Sequence, residues 1–141
     1  MEKSTFLNLI ANLSSTAKKG KWELFYDSVA DSMYWSKKEV SSDSKLKKLS
    51  KEISLYFNNA GNVEGLMVQC FRNNFLTQNE NLAKTSIVKS MDKVENGKPI
   101  SLGSKKEEVE ALFSESIKND ILKDAIEANY TLKDLERVLK V

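Results

Sequence analysis

This sequence predicts an α+β fold, with a four-stranded antiparallel β-meander covered by an N-terminal helix and a helical C-terminal region. Three observations carry the prediction. Apolar residues recur at helical spacing from Phe6 to Ala17 and again from Val109 onward. Between them Ile53, Leu55 and Phe57 alternate with Glu52, Ser54 and Tyr56. Ten of the twelve aromatic residues stand before residue 76. A period near 3.6 lines one face of a helix and a period of 2 lines one face of a strand, so the chain reads helix, sheet, helix. With 141 residues, 40% of them apolar, it can bury one ordinary core and is too apolar for a disordered chain. The expected division is residues 1–75 for the first helix and the meander, and residues 76–141 for the helical region.

The first helix is read over Ser4 to Lys19, with Ser4 or Thr5 as its cap, Phe6, Leu9, Ile10, Leu13 and Ala17 on one face, and Gly20 as its stop. Trp22, Phe25, Tyr26, Val29 and Met33 also fit a helical stripe. The two aromatic-rich runs Trp22 to Tyr26 and Ser32 to Trp35, separated by residues flanked by Asp27 and Asp31, lean toward strands because bulky rings suit a pleated surface. Glu52 to Phe57 reads as a third strand and Val63 to Phe71 as a fourth. The Asn58–Asn62 linker between them is dense in residues that tolerate positive φ, which makes the pair a hairpin. Gly65 within the last strand marks a bulge or the close approach of another backbone.

Beyond Phe75, Leu82, Ile87, Val88, Met91 and Val94 give a weak helical pattern, and a loop follows through Gly97, Pro99 and Gly103. Ser104 to Glu107 has the form of a capping box. Val109, Leu112, Phe113 and Ile117 make one stripe, Ile121, Leu122, Ala125 and Ile126 a second, and Leu132, Leu135, Val138 and Leu139 a third, capped at Thr131. The phrase from Ala125 to Val141 has the form of the first two helices of a helix-turn-helix unit, but the sequence stops where a recognition helix would begin.

Composition excludes much chemistry. There is no histidine, so Ser-His-Asp and Cys-His triads cannot form within the chain. A single cysteine, Cys70, can make no internal disulfide and no cysteine-based zinc site; on an apolar run it reads as a buried, inert thiol. No Gly-rich phosphate loop is present. Glu2, Asn8 and Asn12 break the pattern of a signal peptide, and no window has the roughly 18 apolar residues of a spanning helix. A soluble, cytoplasmic, noncatalytic protein with no cofactor, no metal, no small-molecule ligand and no membrane contact is therefore expected.

Phe25 to Tyr34, containing Tyr26-Asp27-x-x-x-Asp31-x-x-Tyr34, is followed by the apolar strand Ile53 to Phe57 and then by Asn58-x-x-Gly61-x-Val63-x-Gly65. This succession resembles the small prokaryotic domain of unknown function 2283. The resemblance covers residues 22–71, about a third of the chain, and implies the four-stranded meander. The long lysine-rich connection after the second strand and the helical extensions depart from the family pattern. Some members look like partners of small ribonuclease-like toxins, so an antitoxin-like role is what the resemblance suggests. It assigns no functional residue.

Three constellations could carry function. Lys37, Lys38, Lys45, Lys47, Lys48 and Lys51 stand against only Glu39 and Asp43, and Lys18, Lys19 and Lys21 form a second cluster; such lysines can meet a nucleic-acid backbone, or simply guard a sheet edge. Trp22, Tyr34, Trp35 and Tyr56 are candidates for a partner surface, although aromatics in this position also fill cores. Asp27 and Asp31, with Glu52 or Glu64, could gather around a divalent cation, whereas aspartates beside a tight turn usually satisfy backbone amides. The resulting expectation is a protein-binding or regulatory module that engages a partner or a second copy of itself. A nucleic-acid-binding protein is the alternative, and a metal-assisted hydrolase using Asp27, Asp31 and Glu52 a further one.

Overall fold

The computed structural model describes residues 8, 10–95 and 97–127. The Phe6 and Leu9 positions of the first stripe, and the expected third helix from Thr131, lie outside them. Helix α1 (Leu13–Lys19) is followed by β1 (Glu23–Asp27), β2 (Ser32–Ser36), β3 (Lys45–Lys48), β4 (Ile53–Phe57) and β5 (Val63–Val68). A π-helical turn (Phe71–Phe75), a 3-10 turn (Leu76–Gln78), α2 (Glu80–Ala83), α3 (Ile87–Lys93), a second 3-10 turn (Gly103–Lys105) and α4 (Lys106–Glu127) complete the order. Cys70, expected to be buried, is exposed, because β5 ends at Val68 and the chain turns there through a left-handed Cys70 at φ 51°.

Helix α1 ends by a device that differs from the one expected. Gly20 keeps right-handed angles, and Lys21 takes the left-handed conformation, φ 53°. The Trp22 N–H then donates to the Ala17 carbonyl and the Lys21 N–H to that of Lys18, the paired bonds of a Schellman motif. Gly20 is needed for space: a Cβ there would lie 2.6 Å from the Trp22 indole nitrogen.

Among the described residues the strands form one five-stranded antiparallel sheet in the order β1-β2-β5-β4-β3. This corrects the four-stranded meander. The lysine-rich connection contains a strand of its own, β3, which pairs outside β4, and β5 inserts between β2 and β4 with Met33 opposite Val68 and Trp35 opposite Leu66. Strands β2 to β5 thus form a Greek key, and residues 37–44 cross from one side of the sheet to the other. β3 carries no apolar alternation because it is an edge strand covered on neither face, so pattern reading passes over it.

One face of the sheet is the core face. Leu24, Tyr26, Met33, Trp35, Leu66, Val68, Ile53 and Leu55 point into a single buried cluster that they share with Ile10, Leu13 and Ala17 of the N-terminal segment and Val109, Phe113, Ile117 and Ile121 of α4. Phe113 is the centre of the packing, with ring contacts to Trp35 at 5.5 Å, Phe71 at 5.9 Å and Phe75 at 6.1 Å. The core therefore draws on residues from both sides of position 75. The two stripes expected for residues 109–126 run in one helix, and the capping-box serine, Ser104, sits in the 3-10 turn before it. No helix among the described residues is long and apolar enough to cross a membrane.

Candidate functional site

Strand alternation places the remaining sheet residues on the face away from the helices. Phe25 of β1 stands opposite Tyr34 of β2, which stands opposite Met67 of β5. Leu46 of β3 stands opposite Tyr56 of β4, which stands opposite Gly65. Facing partners in an antiparallel ladder share a side, so these residues form an apolar and aromatic band across all five strands. Phe25, Tyr34 and Tyr56 are half-buried, Met67 is buried beneath them, and Leu46 is 49% exposed. Burial raises the Tyr56 phenol above its usual range, with the neighbouring Tyr34 adding to the effect. A shallow groove of about 350 Å³ beside this band is lined by Phe25, Tyr34, Ser36, Lys37, Lys38 and Val40.

Gly65 allows β5 to lie in the middle of this face. A Cβ at that position would stand 2.2 Å from the Ser36 Cβ and 2.9 Å from the Trp35 carbonyl oxygen. The bulge and the close approach expected from the sequence are both present, since the register shifts where Phe57 pairs with Val63 and Tyr56 with Gly65. Between them, Glu64 is 1% exposed. Its carboxylate accepts the Ser41 hydroxyl at 2.8 Å and the Ser41 N–H at 3.2 Å and pairs with Lys37 at 3.6 Å, fastening the crossover to β5.

Of the four aromatics expected on a partner surface, Tyr34 and Tyr56 lie on the open face. Trp22 and Trp35 are each 1% exposed and belong to the core, their rings meeting edge-on at 5.6 Å. The reason is register: Trp35 and Tyr34 are adjacent, so only one of them can face outward. The lysines are likewise divided. Lys37 serves Glu64, Lys38 borders the groove, Lys45 and Lys47 share the side of Phe57 and Leu55, Lys48 shares the side of Ser54, and Lys51 is exposed in the turn after β3.

The acidic residues do not converge. Asp27 accepts the backbone N–H groups of Val29 and Ala30 and so closes the β1–β2 turn, as aspartates beside turns do. Asp31, left-handed at φ 51°, reaches instead to the Tyr26 hydroxyl and to the N–H groups of Arg72 and Asn73. Glu52 accepts the Asn74 side-chain amide at 2.7 Å. Among the described residues no three cysteine, aspartate or glutamate side chains are placed to hold a metal ion. Arg72 bonds Asp92 at 2.6 Å and lies over the Tyr26 ring, 5.8 Å from its centroid. Nothing in the sequence signals this long-range cluster, because the aspartates look alike until the chain has folded.

A cleft of about 580 Å³ opens between α1 and α4, bordered by Lys18, Lys21, Lys106, Glu107 and Glu110. Burial raises the Glu110 carboxyl above its ordinary range against the pull of Lys106, 3.9 Å away. The Trp35 indole N–H also favours the carboxylate, although it falls short of hydrogen-bond geometry. Trp22 and Trp35 form the base of the cleft and present almost no ring surface to it.

Comparison with protein-family models, with curated proteins and with solved structures finds no match to this chain.

Proposed function

We propose that this protein is a noncatalytic binding module that docks a partner protein on the open face of its sheet. The observation that supports the reading is the band Phe25, Tyr34, Met67, Tyr56 and Leu46, which crosses the whole sheet while the described helices pack on the other side. Aromatic residues and methionine are enriched at protein interfaces, where tyrosine rings offer large contact area at small entropic cost and methionine adapts to the surface it meets. An antitoxin-like role, as the resemblance to domain of unknown function 2283 suggests, is one form of this reading. The commitments of Asp27, Asp31 and Glu52 to structural hydrogen bonds weigh against hydrolysis at these residues.

Nucleic-acid binding is the second reading, favoured by Lys38 beside the Phe25–Tyr34 pair, since rings next to cations can stack bases. The division of Lys45 and Lys47 from Lys48 onto opposite sides of the sheet favours it less, because a single phosphate backbone follows one surface. A photo-crosslinking amino acid at position 34 or 56, with position 29 in the exposed β1–β2 turn as a control, tests both. Protein adducts at 34 and 56 and none at 29 are expected. Adducts to nucleic acid alone, or none, would remove the protein-docking reading.

A further inference from the structure

We propose that the outer edge of β3 pairs with an acidic, extended segment of the partner protein, adding a sixth strand to the sheet; this rests on the protein-docking reading above and specifies the partner's chemistry. The two edges of the sheet differ. Beyond β1, Pro99 bridges to Phe25 and the Ile100 N–H donates to the Leu24 carbonyl at 2.7 Å, so that edge is partly closed. Beyond β3 no described strand follows.

The direction of the unpaired groups follows from the ladder. The Leu49 N–H donates to the Ile53 carbonyl at 2.8 Å, and antiparallel pairing alternates, so Lys45 and Lys47 turn their backbone groups toward β4 while Leu46 and Lys48 turn theirs outward. Among the described residues nothing bonds to those outward groups. They are the template on which strand addition works.

Charge then selects the occupant. Lys45, Lys47 and Lys48 make no ion pair among the described residues, and the nearby acids are committed elsewhere, Asp43 to the Asn59 N–H and Glu52 to Asn74. Edge lysines repel basic strands and would lose hydration without a counter-charge against neutral ones, which guards against aggregation. The same three ammonium groups attract a strand that carries carboxylates opposite them. Because side chains alternate, such a strand reaches Lys45 and Lys47 on one side and Lys48 on the other, and sets an apolar residue against the exposed Leu46. A phosphate backbone lying on one surface cannot meet both sides, so the geometry favours a polypeptide.

The test is fluorescence anisotropy of the full chain with a labelled ten-residue peptide, Glu-Glu-Val-Glu flanked by threonines. A proline-interrupted peptide of equal charge and a ten-nucleotide single strand serve as competitors. Saturable binding of the first peptide alone is expected, with hydrogen exchange at the Leu46 and Lys48 amides slowed on binding. Leu46→Pro removes an outward N–H and no bond to β4, and should weaken binding at least tenfold. The combination Lys45→Gln, Lys47→Gln and Lys48→Gln should do the same, and stands in if the proline variant fails to fold. Equal binding of either competitor, unchanged affinity in both variants, or no binding would overturn the proposal. Crosslinks at positions 34 and 56 would persist in that event if the open-face reading holds, which separates the two failures.

Discussion

The Tyr26 hydroxyl donates a 2.6 Å hydrogen bond to the Asp31 carboxylate, which also accepts the N–H groups of Arg72 and Asn73 at 2.9 and 3.1 Å. One left-handed residue in the β1–β2 turn thereby caps the helical turn that follows β5, so the hairpin and the chain leaving the sheet are held by a single group. Burial opposes ionisation of Asp31, but the Tyr26 bond, the two backbone amides and the Arg72 charge outweigh it and hold the carboxyl below its ordinary range. Burial first, and then Asp31, push the Tyr26 phenol up to about 12.

The pH dependence has a defined sign at each end. The lowered Asp31 carboxyl contributes stability above its ordinary value, near pH 4, and loses it as pH falls through the folded value. The raised Tyr26 phenol contributes fully below about pH 10 and loses its contribution as pH rises toward 12. Thermal melts of Tyr26→Phe should show less alkaline loss between pH 10 and 12 than the unaltered chain. Asp31→Ala should cost about 2 kcal/mol at neutral pH, since it leaves two backbone N–H groups without their charged acceptor. A melt within error of the unaltered chain at pH 7 would contradict this account of Asp31.

Lys21 gives a prediction of the opposite sign. It holds φ 53° at the left-handed position of the α1 terminus, where glycine is the residue without a Cβ penalty. Lys21→Gly should raise stability by about 1 kcal/mol in urea denaturation, with an unchanged slope. Gly20→Ala, one residue earlier, should destabilise, because its Cβ meets the Trp22 ring.

The sequence is legible where one face of an element is buried and illegible where neither is. Ile53 and Leu55 advertise β4 by alternation, Leu66 to Val68 mark β5 as an apolar run, and the Asn58–Asn62 turn between them closes as its composition indicates, with Gly61 at φ 82°. Lys45 to Lys48 carry no such pattern, so a strand that changes the topology reads as a loop. Trp35 looks outward-facing only until its register opposite Leu66 is known. The open face could be read in part: Tyr34 and Tyr56 stand out by type, while Phe25, Met67 and Leu46 join them through pairings between strands distant in sequence.

At the centre of the open face, Gly65→Ala sets a methyl group where backbone already stands, 2.6 Å from the Ser36 Cα. Neither strand can yield without breaking pairing on its other side, β2 with β1 and β5 with β4. A loss of about 3 kcal/mol is expected, read as a lower urea midpoint. A cooperative transition at the unaltered midpoint would show that the strands do not approach as described.

Glu64 of β5 supplies a test of the crossover that leads into β3. Its buried carboxylate holds Ser41 through both N–H and hydroxyl, and Lys37, 40% exposed at its side chain, supplies the counter-charge. Removing the carboxylate by Glu64→Ala leaves Ser41 without its partner and Lys37 facing solvent, and should cost about 2 kcal/mol. Because Lys37 can reach water, the cost stays below that of breaking a fully buried ion pair. The effect should also be local. Trypsin should cut after Lys38 much faster in the variant than in the unaltered chain, whereas the amides of Leu55 and Leu66, deep in the sheet, should keep their slow hydrogen exchange. Unchanged cleavage at Lys38 would mean that pairing of β3 with β4, and not the Glu64 carboxylate, holds the crossover in place.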